Sequence, residues 1–170
     1  MLKNILYVVV IIIGGILLYA AVRSPEMHIS REIVINASPE IIFPHINNSA
    51  KANDWMPWKE MDANLQMNYS GPAEGLGSKS SWNSEGQMGV GEALVIESIA
   101  NQVVKTKLTY TKPFQMSQMA EVSLVPVASG TLVKWSVSGQ NNFFFRLMGT
   151  FMNCDKMIGG SFEKGRRARD

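Results

Sequence analysis

Three patterns of hydrophobic and polar positions follow one another along the chain, and each predicts a different kind of element. The first is unbroken. From Asn4 to Val22, nineteen residues carry no charge and lie between Lys3 and Arg23. Written NILYVVVIIIGGILLYAAV, the run has no polar face, so it does not fit a helix lying on a soluble core. At helical rise it covers about 28 Å, close to the roughly 30 Å of a bilayer hydrocarbon core. In lipid each backbone polar group must be paired within the segment, which requires a helix. Tyr7 and Tyr19 lie near its two ends, at the depth amphipathic rings favour. A cleavable signal peptide has a shorter apolar region and a small-x-small cleavage site, and Tyr19 occupies a position that should be small. Residues 1–23 are therefore predicted to be a retained single-span transmembrane anchor, and 24–170 a separate domain.

The second pattern has period two. Ser24–Met27 reads as a linker broken by Pro25, and His28–Asn36 as a first, β-branched strand. Ala37-Ser38-Pro39-Glu40 then opens a short helix, with Ser38 as cap, Pro39 in the first turn and an acid at the positive end of the dipole. Ile42, Phe43 and Ile46 give it an apolar face, Pro44 removes one hydrogen bond, and it ends near Asn47-Asn48. Trp55-Met56-Pro57-Trp58 reads as irregular or briefly helical. Alternation resumes at Leu65, Met67 and Tyr69. It continues through strands over Lys79–Glu85, Gly91–Ile99, Val103–Tyr110, Gln115–Val125 and Leu132–Ser138, with short polar or glycine-bearing connections between them. Such connections predict hairpins and an antiparallel sheet.

The third pattern is helical again. Phe144, Leu147, Phe151, Cys154, Ile158 and Phe162 recur at spacings of three and four, a single stripe along one long helix. A strand, a short helical region, about six further strands and one long amphipathic helix make an α+β fold.

Charge narrows the function classes. Sixteen Lys and Arg stand against fourteen Asp and Glu, and the two excess positives equal Lys3 and Arg23 at the anchor. The domain is formally neutral and carries no basic stripe before its C-terminus, which argues against nucleic acid as a partner. The one cysteine, Cys154, excludes an intrachain disulfide and a cysteine-based zinc site, and no metal or cofactor is expected. The tail Lys164, Arg166, Arg167 and Arg169 fits either a helix C-terminus or contact with anionic headgroups.

Strand alternation assigns the more apolar faces to Met67 and Tyr69, Ser80 and Trp82, Val104 to Tyr110 and Met116 to Leu124 in steps of two, and Val133, Trp135 and Val137. Tyr69, Thr106, Tyr110 and Gln118 are then polar tips in an apolar lining, the usual form of a small-molecule site. They read equally as core groups satisfied locally. Trp55 and Trp58 are candidates for the mouth of such a cavity or for ordinary packing anchors. Trp82, Trp135, and Met148 and Phe151 of the terminal helix complete the candidate ligand-binding set. No catalytic residue is assigned. The sequence pairs neither His28 nor His45 with a recognisable carboxylate or nucleophile for general-base work, and no nucleophile elbow, zinc-binding His pair or phosphate loop occurs.

Several strings in order carry a family resemblance: Arg31–Glu40 (REIVINASPE), Phe43-Pro44, Trp55–Trp58 (WMPW), Tyr69–Trp82 (YSGPAEGLGSKSSW), Gly89-Val90-Gly91, Lys112-Pro113-Phe114, Gly130–Trp135 (GTLVKW) and Gly159–Gly165 (GGSFEKG). On these the domain resembles the START-like, helix-grip superfamily (SRPBCC), including bacterial proteins labelled polyketide cyclase/dehydrase and lipid transport, and among them a membrane-anchored subset. The resemblance implies a curved antiparallel sheet of about seven strands gripping a long C-terminal helix around an apolar cavity. It implies no single activity.

The expected function is a membrane-tethered, non-catalytic binding domain for an apolar or amphipathic, lipid-like small molecule. The alternatives are a cyclase/dehydratase-like enzyme, with Tyr69, Tyr110 and His45 as acid/base groups, and a protein-interaction module. Positive residues tie across the span, and a three-residue N-terminus before an apolar run resembles an uncleaved signal sequence. The domain is accordingly expected on the periplasmic or outer side of a bacterial inner membrane.

Overall fold

The computed structural model describes residues 2–22, 24–56, 62–86 and 88–141, together with Phe143, Arg146 and Leu147. Its elements are α1 (Leu2–Val22), β1 (Glu26–Ile35), α2 (Pro39–Asn47), α3 (Ser49–Trp55), β2 (Gln66–Ser70), β3 (Lys79–Asn83), β4 (Val90–Ile99), β5 (Val103–Lys112), β6 (Met116–Val127) and β7 (Gly130–Gln140). Phe143, Arg146 and Leu147 are helical. The rest of the predicted terminal stripe lies outside the described residues. So do Trp58, Met148, Phe151 and the basic tail, as does the side chain of Trp55, the last residue of α3.

One seven-stranded antiparallel sheet organises the domain, in the order β1-β7-β6-β5-β4-β3-β2. Hairpins join β2 through β7 in sequence, and β1 returns to the open edge of β7, with Glu26 opposite Gln140 and Ile35 opposite Thr131. The strands run further than the turn residues suggested. Val127 pairs with Gly130, so β6 and β7 meet across two residues and the ladder continues to the hairpin tip. At β3 the reverse holds: the strand stops at Asn83, because Ser84 leaves the ladder to bond the Gly89 carbonyl through its N–H (2.9 Å) and the Asp62 carboxylate through its hydroxyl. Register shifts at Val90/Gly91 and Val95/Glu97 bend β4.

Charge separates the two faces. On one, Lys105 bonds Glu97 at 3.0 Å and faces Glu121 at 3.9 Å, Lys134 faces Glu32 at 3.4 Å, and Lys79 faces Glu92 at 2.5 Å. Three of these pairs sit directly opposite across neighbouring strands. They are half exposed, so each stabilises the sheet by no more than about 1 kcal/mol. On the other face, the concave one, the register lines up Val95, Thr106, Ala120, Val137 and Ile29 in one row across five strands. Four of the five are buried apolar residues. The core sits there.

The short helices close one end of this concave face. Fully buried Thr131 donates from Oγ1 to the Ala37 carbonyl at 2.7 Å, ahead of α2. At its far end, Asn47 accepts from Ser98 through Oδ1 (2.6 Å) and from the Gly75 N–H through its carbonyl (3.0 Å). Two cap assignments change. Ser38 makes no side-chain cap bond; its hydroxyl bonds the Glu40 carboxylate instead and holds that group below its ordinary value. Asn48, unassigned in the sequence, caps a second helix through Oδ1 to the Ala50 and Lys51 amides (3.0 and 3.1 Å), so the segment before Trp55 is helical.

At the opposite end lies α1. It is a 21-residue helix. Among the residues with described side chains, no helix is long and apolar enough to cross a membrane; those of Leu2, Ile5 and Leu6 are not included. The last turn of α1 is fastened to the domain. Ala20 is fully buried, and Arg146 donates from Nη1 to the Ala21 carbonyl at 3.1 Å, a cation on the negative end of the helix.

Candidate ligand-binding site

Cross-strand register resolves where the predicted lining falls. The first row from the α1 end runs Met67, Trp82, Gly91, Tyr110, Met116 across β2 to β6. The next runs Tyr69, Ser80, Ala93, Leu108, Gln118, Gly139, Met27. Thr106 lies in the third row, and Trp135 in the fourth beside Arg31. Every described candidate from the alternation shares the concave face. They do not all converge. Four strand spacings separate Tyr69 from Gln118, about 19 Å along the sheet.

Trp82 and Tyr110 do meet. Their strands are two apart, with Gly91 between them. A Cβ on Gly91 would lie 2.5 Å from Trp82 Cζ2, so only glycine lets the indole lie across β4. The indole and phenol rings then pack edge to face, centroids 5.4 Å apart at 72°. The indole Nε1 donates to the Met88 carbonyl at 3.2 Å, which fixes the ring plane. That carbonyl belongs to the β3–β4 connection, where Gly89 at φ +62° passes so close to the Lys112 carbonyl that no side chain fits. Burial pushes the Tyr110 phenol above its ordinary value and keeps it protonated, a donor rather than an anion.

Gln118 sits among sulfurs. Its Nε2 donates to Met116 Sδ at 3.6 Å and Met27 Sδ at 3.9 Å, weak partners that leave much of its hydrogen-bonding capacity unspent. Tyr69, by contrast, is half exposed on edge strand β2. It lines a cleft of about 240 Å³ with Asn48, Ser49 and the Gly71–Ala73 turn, apart from Trp82 and Tyr110. His45 is exposed on α2 and His28 lies on the charged face, so Tyr69, Tyr110 and His45 do not form one acid/base group. Among the described residues no group of His, Cys, Asp and Glu could hold a metal.

Two residues were missed. Arg31, which reads from the sequence only as one position of the first strand and of the family string, stands on the concave face opposite Trp135. Its Nη1 donates to the Ser30 carbonyl at 2.8 Å. The alternation of Ile29 and Ile33 around it was the available signal. Gly91 reads from the sequence only as the first residue of a strand, with nothing to mark the ring that crosses it.

No family model and no curated protein matches the chain. Solved structures do. MLL2253 from Mesorhizobium loti aligns over 83% of this chain and 95% of its own, with 16% identity and a TM-score of 0.58. Ara h 8.0201 aligns over 82% and 94%, with 11% identity and a TM-score of 0.56. StfQ, a di-domain ARO/CYC from the steffimycin biosynthetic pathway, aligns over 69% of this chain and 37% of its own, with 5% identity and a TM-score of 0.51. The fold is the helix-grip fold. At these identities the likeness concerns architecture alone, and the helix-grip sheet is what places Trp82, Tyr110 and Gln118 on one concave surface.

Proposed function

We propose that this chain is a membrane-tethered, non-catalytic binding domain that takes an apolar or amphipathic, lipid-like molecule against the concave face of its sheet. The observation that carries this reading is the separation of charge between faces. Eight charged residues of the strands, in or beside ion pairs, lie on the convex side: Glu32, Lys79, Glu92, Glu97, Lys105, Lys107, Glu121 and Lys134. The concave side offers aromatic and aliphatic surface with hydroxyl and amide tips, and its one charge in the described rows, Arg31, stands on edge strand β1, a chemistry suited to a largely apolar ligand with one polar end. Tethering is supported by α1, a 21-residue helix whose side chains, such as Ile11 at 72% exposure, need an apolar surround.

The test is displacement of an apolar fluorescent probe from full-length protein in detergent. Tyr110→Phe, Trp82→Phe and Trp135→Ala should each weaken probe binding several-fold, while Glu121→Ala on the convex face leaves it unchanged. Equal effects from all four would refute the concave site. Membrane pellets washed with carbonate test the tether: a spanning chain stays in the pellet, and its release would refute the anchor.

One observation favours a second reading. Architecture shared with StfQ, together with a half-buried Tyr110 whose phenol is held above its ordinary value, suits a cyclase-like site in which that phenol donates a proton. Turnover of a polyketone-type substrate lost in Tyr110→Phe, with probe binding retained, would establish it.

A further inference from the structure

The proposed tether has a geometric consequence. Three residues, 23–25, separate the end of α1 from β1, and the two described ones are engaged: the Ser24 hydroxyl accepts from the Glu26 N–H (3.2 Å), and the Pro25 carbonyl accepts from the Asn141 N–H (2.7 Å). With Arg146 bonded to the Ala21 carbonyl, the end of α1 is held to the β1–β7 corner of the sheet. It is not a free leash. The antiparallel register fixes what else lies at that end. Met27 is opposite Gly139, which is opposite Gln118, and the Gln118 amide bonds the sulfurs of both Met27 and Met116. The start of β6 therefore stands two strand spacings from the start of β1, about 10 Å. Just ahead of it runs Lys112-Pro113-Phe114, with Phe114 exposed, and on the other side Phe143 is exposed as well.

Among the described residues, the short helices close the sheet at one end only. Ala37, Asn47 and Ser49 bond the sheet and its loops at the end away from α1. The end beside α1 carries the Trp82–Tyr110 pair in its first row.

Resting on the tether reading, we infer that the α1-side rim of the sheet lies on the bilayer surface, with Phe114 seated among lipid headgroups and the open end of the concave face directed at the membrane. The occupant is the phospholipid leaflet that holds α1. An exposed phenyl ring beside a lysine is a pairing that membrane surfaces favour, the ring reaching the boundary of headgroups and acyl chains and the ammonium staying at the phosphates. A ligand would then pass between leaflet and concave face without crossing water.

The experiment is site-specific photo-crosslinking of the full-length chain in nanodiscs of mixed zwitterionic and anionic phosphatidyl lipids. Benzoylphenylalanine replaces Phe114 in one sample, Val10 within α1 in a second, and Ala128 at the far β6–β7 turn in a third. Irradiation should add the mass of one phospholipid at positions 114 and 10 and leave position 128 unmodified. A lipid adduct at 10 with none at 114 would overturn the rim contact while leaving the tether intact. Absence of adduct at 10 would overturn the tether, and the inference with it. A protein–protein adduct at 114 in place of lipid would make the rim a contact between copies and equally overturn the proposal.

Discussion

Gly91→Ala is the sharpest perturbation the structure offers, because one methyl group meets both backbone and ring. An added Cβ would stand 2.5 Å from Trp82 Cζ2, 2.9 Å from Cε2 and 2.8 Å from the Thr109 carbonyl oxygen. Overpacking of that kind costs about 1–3 kcal/mol. Displacing the indole also breaks its edge-to-face contact with Tyr110, a further loss of about 0.5–1.5 kcal/mol. Against this, Ala restricts the unfolded chain and returns about 0.4–1 kcal/mol. The balance is a destabilisation of about 1–4 kcal/mol, or several degrees in Tm for a chain of this length. Urea titration of the full-length protein in detergent, followed by near-ultraviolet circular dichroism, measures it. The decisive comparison is the same change in a Trp82→Phe background. The smaller ring removes two of the three close approaches, so the cost of Gly91→Ala should shrink and only the Thr109 contact remain. A neutral Gly91→Ala, or an identical cost in both backgrounds, would refute the interlock.

Thr131→Val keeps the shape of a fully buried side chain but leaves the Ala37 carbonyl without its 2.7 Å partner, and should cost about 1–3 kcal/mol in the same titration. The Ser84 hydroxyl, and then the Asn64 N–H, hold the Asp62 carboxyl below its ordinary value, so that contribution to stability is full above the unfolded pKa and is lost as pH falls through the lower folded one. Ser84→Ala should raise the Asp62 pKa in an NMR titration and begin acid unfolding at a higher pH. Tyr110 gives the opposite sign: its raised pKa means that stability is full below the ordinary tyrosine range and falls as pH climbs through it. Ultraviolet titration of wild type against Tyr110→Phe should show that the missing tyrosine was a late one to ionise.

Much of the architecture was legible because period is a backbone property. Side chains alternate in any strand, so Met67, Trp82, Thr106, Tyr110 and Gln118 could be put on apolar faces without knowing which strands are neighbours. Adjacency is another matter. Nothing in the alternation says that Trp82 and Tyr110 lie two strands apart with a glycine between them, or that Tyr69 belongs to an edge and so sits half exposed. Those facts come from register, which hydrogen bonds between distant segments decide. Caps were misread for a related reason. Ser38 has the right chemistry for its position, but a neighbouring carboxylate competes for the hydroxyl; Asn48 was hidden in what resembled a loop because α3 has only seven residues.

Arg31 shows how the same rules place a charge on an apolar face without contradiction. A guanidinium in the middle of that surface would face a heavy desolvation penalty. On β1, however, one side of the strand is the open edge of the sheet, and a long side chain can lay its methylenes over apolar surface while its head reaches the border. The central strands cannot offer that escape, and the concave positions across their middle are uncharged, several of them small: Gly91, Ala93 and Val95 on β4, Ala120 on β6. Small side chains in the centre and large rings towards the rim give the face depth where a flat array of leucines would fill it. That distribution of volume, rather than any polar motif, is what makes a binding reading of this sheet follow from its residues.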